Sequence, residues 1–241
     1  METEIHSPGS EEGVLVFAKY PRAGRVKTRL ARIAGDTAAL SLYRAFVADL
    51  LATLDDGGHP AIICFHPPEA EDRMREWLGR DRRYWPQEGA DLGERMANAL
   101  ERAFRSGFRR AIILGTDLPD LPGAIVAGAF KALERTGVVL GPARDGGYYL
   151  IGFSAERFVR DVFRDIPWSG DAVFRRTRER MAENGLAPVL SPVWRDIDTV
   201  ADLAELDAAG QAPPHTRACL ATLKRSSPGL FSPEPRRRRI D

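Results

Sequence analysis

Short apolar runs alternate with amphipathic ones along most of this chain. Val14 to Ala18, Ala61 to Phe65, Ala111 to Leu114, Val138 to Gly141 and Tyr148 to Phe153 are rich in β-branched and aromatic residues and read as buried strands. A further short strand is expected just before Gln87. Between these runs apolar positions recur with a helical period: Thr37 to Leu54, Glu69 to Leu78, Leu92 to Arg105 and Gly123 to Arg135. Later helical patterns cover Asp171 to Asn184 and Val200 to Ala209. Strands alternating with helices of this length form βαβ units, so the pattern predicts an α/β domain on a mainly parallel, twisted sheet. In such sheets ligands bind beyond the carboxyl ends of the strands.

Polar motifs fall at those ends. Val14 to Leu30 reads VLVFAKYPRAGRVKTRL: a strand, then a loop with Pro21, Gly24 and the cations Lys19, Arg22, Arg25, Lys27 and Arg29, then a helix-like start. Backbone N–H groups, a helix N-terminus and several cations together form a phosphate grip; the plainer reading is a solvated basic loop. Ile112 to Pro119 places Thr116 and Asp117 at the lip of a strand, where a carboxylate ligates Mg²⁺ or Mn²⁺. Its competing role is to cap the helix near Pro122, a role Asp120 also suits. In Arg195 to Val200, Asp198 and Thr199 either cap the last helix or supply a second metal carboxylate.

Two further segments carry glycines beside polar groups. Gly141 to Leu150 (GPARDGGYYL) is a hairpin-turn signal, yet Asp145, Gly146, Gly147 and Tyr148 also suit a sugar or small acceptor. Gln87 to Met96 opens a helix, and its Gly89, Asp91 and Gly93 permit close approach to a flat nucleoside ring. The order of residues around Gly24 to Thr28 is not that of a P-loop, and no GxGxxG follows a strand.

Bulk composition narrows the classes. A length of 241 residues, 44% hydrophobic and 29% charged, describes a soluble globular chain with room for one α/β domain. A net charge of +1 gives no overall pull toward nucleic acid or membrane, so neither is expected as a partner. Cys64 and Cys219 lie far apart, which suits a reducing compartment, and the polar start METEIHSPGSEEG does not read as a signal peptide. No apolar run approaches the roughly 20 residues of a membrane span. A cytoplasmic location is therefore expected. The organisation expected is a flexible segment 1–12, a catalytic domain 13–210, and a Pro/Arg-rich tail 211–241, partly disordered. That tail holds a short helix near Arg217 to Lys224 and ends in Arg236 to Arg239.

In order, the segments FAKYPRAGRVKTRLA, QEGADLGERM, GTDLPDLP, GPARDGGYYLIGF, IPWSGDAVF and DIDTVADL resemble a bacterial family of GT-A-like transferases, the DUF2064 group. Its members are often labelled glycosyltransferases, some of them associated with arsenosugar biosynthesis. The same pattern is more distantly similar to phospholactate guanylyltransferase. The resemblance spans roughly Val14 to Leu206 and implies a nucleotide-diphospho-sugar transferase fold, a three-layer sandwich with a mixed, mostly parallel sheet. It implies that Lys27 and Arg29 hold phosphates and that Asp117 and Asp198 hold Mg²⁺ or Mn²⁺. By the same match Asp145, Gly146, Gly147 and Trp168 face the acceptor or sugar. The candidate catalytic residues are thus Lys27, Arg29, Asp117 and Asp145. Ala18, Lys19, Gly24, Arg25, Gly89, Asp91, Gly93 and Thr116 complete the expected nucleotide site. Ala90 departs from the pattern of relatives. The expected activity is transfer of a glycosyl group from a nucleotide sugar to a small acceptor. The alternatives are nucleotidyl transfer with release of pyrophosphate, and a nucleotide- or RNA-binding module without turnover.

Overall fold

A computed structural model describes residues 11–227. Its strands are β1 (Glu12–Lys19), β2 (Ala61–His66), β3 (Arg83–Pro86), β4 (Arg110–Leu114), β5 (Val138–Pro142), β6 (Tyr148–Ser154) and β7 (Val189–Leu190). They form one sheet in the order β3-β2-β1-β4-β6-β5-β7. β1 lies parallel to both β2 and β4, and β3 parallel to β2. β6 runs antiparallel to β4 and β5, and β7 adds a parallel edge. The reversal at β6 has a local cause: β5 and β6 are a hairpin closed through the Asp145-Gly146-Gly147 turn, so the strand must return beside its neighbour.

The helices are α1 (Thr28–Ala34), α2 (Asp36–Asp56), α3 (Glu71–Leu78), α4 (Leu92–Arg105), α5 (Gly123–Thr136), α6 (Val173–Glu183), α7 (Val200–Ala208) and α8 (Pro214–Ser226). Successive strand residues point to opposite faces. Val14 and Val16 therefore meet α2, α3 and α5 on one side, whereas Leu15 meets α4 and α6 on the other. This is the expected three-layer sandwich. α2 is long and apolar enough to cross a membrane by composition, with a mean hydropathy of 1.3, but it is a central core helix buried against the sheet. Gly35, at φ 83°, breaks the helical pattern and separates α1 from α2.

A third apolar cluster decides where the site residues sit. Leu30 of α1, Leu42 and Phe46 of α2, Ile197, Leu203 and Leu206 around α7, and Leu220 of α8 pack together. Asp49, only 2% exposed within α2, accepts hydrogen bonds from the backbone of His215 (2.9 Å) and Thr216 (2.8 Å) and from the Thr216 hydroxyl (2.7 Å). It caps α8 from across the fold. The packed structure thus runs past residue 210, through a helix longer than the one expected in the tail. The Arg236 to Arg239 block and residues 1–10 lie outside the described residues.

Candidate active site

The sheet's strand order changes direction at β1, which has β2 on one side and β4 on the other. A cavity of about 420 Å³ opens at the carboxyl ends of β1 and β4, the switch point of the topology. Phe17 and Lys19 of β1, the segment 25–29, Tyr43 of α2, Leu92 of α4, Gly115 to Asp117 and Asp198 line it.

Lys27 organises this cavity. It is the residue before α1, and its φ of 48° and ψ of 46° place a side-chain-bearing residue in the left-handed region. Such backbone costs on the order of 1–3 kcal/mol and persists only where the surroundings over-determine it. The surroundings do so here. The ammonium lies 2.6 Å from Asp117 Oδ1, 2.7 Å from the Ile197 carbonyl and 2.9 Å from Asp198 Oδ1, which uses all three of its donors. It also sits 5.4 Å from the centre of the Phe46 ring. Burial disfavours the charge on Lys27, but the two carboxylates outweigh it and hold the amine protonated, with its pKa above the ordinary value.

The carboxylates are themselves held. The Ile197 N–H donates to the Asp117 carbonyl (2.9 Å), tying the turn after β4 to the segment before α7. Asp120 accepts from Trp194 Nε1 (3.3 Å) and from the Arg195 guanidinium (3.4 Å) across the same seam. Thr199 and Asp202 form a capping box at α7. The helix is therefore capped by Thr199, and the Asp198 side chain remains for Lys27. Neither Asp117 nor Asp120 caps α5, which begins behind Pro122 without a side-chain cap.

Two residues join the site that the sequence did not single out. Asp196 feels the charges of Asp117, Asp145 and Asp198: burial and then these like charges push its carboxyl up to about 7, with Lys27 offsetting part of the rise. Tyr43 accepts from the Lys19 N–H (2.8 Å) and donates to the Lys19 carbonyl (3.0 Å), fixing the end of β1. Its phenol pKa is raised, chiefly by burial. Asp196 stands two residues before Asp198 in the same segment, and no local pattern sets it apart. Tyr43 sits on the apolar stripe of a helix, where a pattern counts it as core.

The expected site residues divide into two groups. Lys19, Arg25, Lys27, Arg29, Thr116, Asp117 and Asp198 come together at the cavity. The Arg29 side chain is 66% exposed and 3.8 Å from Asp198, so with Lys19 and Arg25 it presents a charge to the opening. The Lys27 ammonium, also expected on phosphate, spends its three N–H groups on protein acceptors in this arrangement.

The others each make contacts within the fold. Ala18 is fully buried in the core. Gly24 provides a left-handed turn position, at φ 73°. Asp91 caps α4, accepting from the Glu94 N–H at 2.8 Å. Gly89 packs where a Cβ would fall 2.7 Å from Glu94 Cβ, and Gly93 where one would fall 2.4 Å from Trp168 Cζ2. Asp91 and Gly93 line a different cavity, of about 570 Å³, together with Phe163 and Asp165. Asp145 accepts from the Gly147 N–H at 2.9 Å, forming its own turn beside the acidic cluster. A Cβ on Gly146 would lie 2.4 Å from the Asp171 carbonyl oxygen, so protein already fills that side. The Tyr148 hydroxyl is turned inward, 3.8 Å from the Met96 sulfur. Trp168 stacks on Phe163 at 6.5 Å between ring centres. Ala18, Gly89, Asp91 and Gly93, expected on the nucleoside, and Gly146, Tyr148 and Trp168, expected on the sugar, thus each have a place in the packing of the fold.

Asp117 and Asp198 are hard oxygen donors whose side chains are 38% and 32% exposed, and Lys27 engages only one oxygen of each. That chemistry fits Mg²⁺ or Mn²⁺. Among the described residues no third acidic, His or Cys side chain converges with them on a common point, and the place between them is held by the Lys27 ammonium.

The comparisons agree with the fold. Residues 49–170 match the family model described as "Uncharacterized protein conserved in bacteria (DUF2064)". A solved structure from Desulfovibrio desulfuricans G20, provisionally described as a nucleotide-diphospho-sugar transferase, is 38% identical with a TM-score of 0.85, covering 92% of this chain and 97% of that one. A nucleotidyl transferase from Methanothermobacter is 16% identical with a TM-score of 0.52, covering 89% of this chain and 100% of its own. The 4-diphosphocytidyl-2C-methyl-D-erythritol synthase of Anaerococcus prevotii is 10% identical with a TM-score of 0.54, covering 84% and 99%. These last two share the fold alone. No curated protein matches the sequence. With the family model covering half of the chain and a 38% identical relative covering nearly all of it, this protein belongs to the DUF2064 family.

Proposed function

We propose that the protein is a transferase acting on an activated nucleotide, and that it moves a glycosyl group from a nucleotide-diphospho-sugar to a small acceptor. The observation that carries this reading is the switch-point cavity, where Lys19, Arg25 and Arg29 surround a pair of fixed carboxylates. Cations around an opening of that size suit a diphosphate. The relative at 38% identity is described as a nucleotide-diphospho-sugar transferase, which favours the glycosyl reaction over nucleotidyl transfer.

In this reading Arg25, Arg29 and Lys19 bind the phosphates and offset the charge that develops on the leaving nucleoside diphosphate. Phe17, Val26 and Leu92 give the cavity an apolar wall against which the rest of the nucleotide lies. Asp117 and Asp198 would hold Mg²⁺ or Mn²⁺, which when bound supplies further charge neutralisation at the diphosphate. This reaction requires no covalent protein nucleophile. Catalysis rests on positioning and on preorganised charge.

The test is a thermal-shift panel of nucleoside triphosphates, diphosphates and nucleotide sugars, each with and without Mg²⁺, on wild type and Asp117→Asn. A ligand at a hundred times its Kd adds about 2.7 kcal/mol, which is roughly 5–11 °C in Tm for a chain of this size. A Mg²⁺-dependent shift from one nucleotide sugar that disappears in Asp117→Asn is expected, and it names the donor. A shift confined to a triphosphate would replace glycosyl by nucleotidyl transfer. No shift from any of them would end the transferase reading.

A further inference from the structure

We propose that Lys27 is a built-in competitor of the divalent cation: its ammonium latches Asp117 to Asp198 in the free protein, and a cation arriving at those carboxylates frees Lys27 into the cavity. The inference rests on the metal site proposed above and adds the role of the lysine that bridges it.

Three observations meet here. The ammonium bonds the Oδ1 atoms of Asp117 (2.6 Å) and Asp198 (2.9 Å) at once, so it already neutralises the two carboxylates that would hold a cation. A second positive centre on these carboxylates, even on their free oxygens, would stand within a few ångström of the first and repel it, so the two cations compete. Second, the side chain is 2% exposed yet belongs to a residue that lines the cavity, so rotation of its four-carbon stem, with loss of the bond to the Ile197 carbonyl, brings the ammonium into the opening. Third, Lys27 holds a left-handed backbone while its neighbours Arg22 to Arg25 stand exposed on the loop. Undocking the ammonium removes the contacts that enforce this conformation, and the loop can relax. The freed cation then joins Arg25 and Arg29 on the face where a diphosphate would lie. A ligand that binds one of two competing arrangements shifts the population toward it.

The experiment uses the full chain and Mn²⁺ as the probe. Lysines are acetylated with a limiting amine-reactive ester and read by mass spectrometry, with Lys131 as an exposed internal reference. In EDTA, Lys27 should be protected. With Mn²⁺ its labelling rate should rise at least tenfold, with a midpoint equal to the Mn²⁺ Kd measured by calorimetry. Lys27→Met should bind Mn²⁺ at least tenfold more tightly than wild type. If Lys27→Met does not fold, the labelling of wild type still decides. Mn²⁺ binding that depends on Asp117 but leaves Lys27 protected overturns the latch, as does a Lys27→Met protein that binds Mn²⁺ no better than wild type. Absence of Mn²⁺ binding to either protein also overturns it. Nucleotide-sugar shifts that persist in that case would leave the transferase reading standing, and their absence as well would remove both.

Discussion

Two loops rise from the same edge of the sheet with similar compositions, and they use their residues in opposite ways. The loop after β1 and the hairpin between β5 and β6 each combine glycine, charge and a nearby aromatic ring. In the hairpin every unusual residue answers to packing: Gly146 makes room for the Asp171 backbone, Asp145 turns onto Gly147, and Tyr148 points its hydroxyl at Met96. In the β1–α1 loop the unusual residue is Lys27, strained, charged and buried, and apolar packing alone does not call for a charge there. A glycine that a neighbour's atoms explain is weak evidence for a ligand. A strained polar residue tied to carboxylates distant in sequence is stronger evidence.

The largest effect that would break this comparison is on turnover. Asp117→Ala removes a cavity carboxylate and leaves the buried Lys27 ammonium one acceptor short. With the nucleotide sugar identified by the thermal-shift panel, its rate should fall about a thousandfold or more, corresponding to several kcal/mol of lost charge stabilisation. Activity within tenfold of wild type would remove Asp117 from the machinery and leave the two loops equivalent.

Next in size is the cost of filling the hairpin. An alanine Cβ at Gly146 falls 2.4 Å from the Asp171 carbonyl oxygen at a φ of 91°, and both groups are backbone that cannot rotate away. Gly146→Ala should cost on the order of 2–3 kcal/mol, about 4–12 °C in Tm. Gly147→Ala meets only Asp145 Oδ1 at 3.2 Å and should cost less than about 1 kcal/mol. Equal losses in thermal unfolding would refute the packing account of the first glycine.

A smaller and more particular effect concerns pH. Asp196 is raised from 3.8 to about 7 in the fold. The folded state therefore holds a proton that the unfolded chain releases, so this contribution is complete below about pH 4 and is lost as pH rises through 7. In EDTA, wild type should lose stability between those limits. Asp196→Asn should flatten that slope and melt a few degrees higher than wild type at pH 8. Parallel profiles for the two proteins would show that Asp196 does not feel the carboxylates around it.

How much of this was legible in the chain follows from the range of each interaction. Strand positions were readable because alternation and burial act over a few residues: Val14 and Val16 on one face against Leu15 on the other. α4 runs from Leu92 to Arg105 as its pattern indicates, since its cap Asp91 and its apolar stripe are local. The α1–α2 break at Gly35 and the extent of α8 were less legible, the latter because its cap, Asp49, lies 166 residues before His215. At the site, Lys27, Asp117 and Asp198 were each readable as chemistry. That they bond one another was not, because the Lys27–Asp198 contact joins positions 171 residues apart. Nor did any local signal say that Trp168 would occupy the space above Gly93.

Tyr148 gives the smallest effect and separates the two loops at a single atom. If the hairpin faced a sugar, its hydroxyl would be a donor or acceptor to the ligand, and removing it would weaken acceptor binding. In the structure the oxygen instead lies 3.8 Å from the Met96 sulfur, a weak acceptor. Tyr148→Phe keeps the ring in the core and should change stability by less than about 1 kcal/mol. Because the hydroxyl is turned away from the cavity, KM and kcat should both stay within twofold of wild type. A rise in acceptor KM at unchanged Tm would place the hydroxyl on the ligand and give the hairpin the chemical role proposed for the β1–α1 loop.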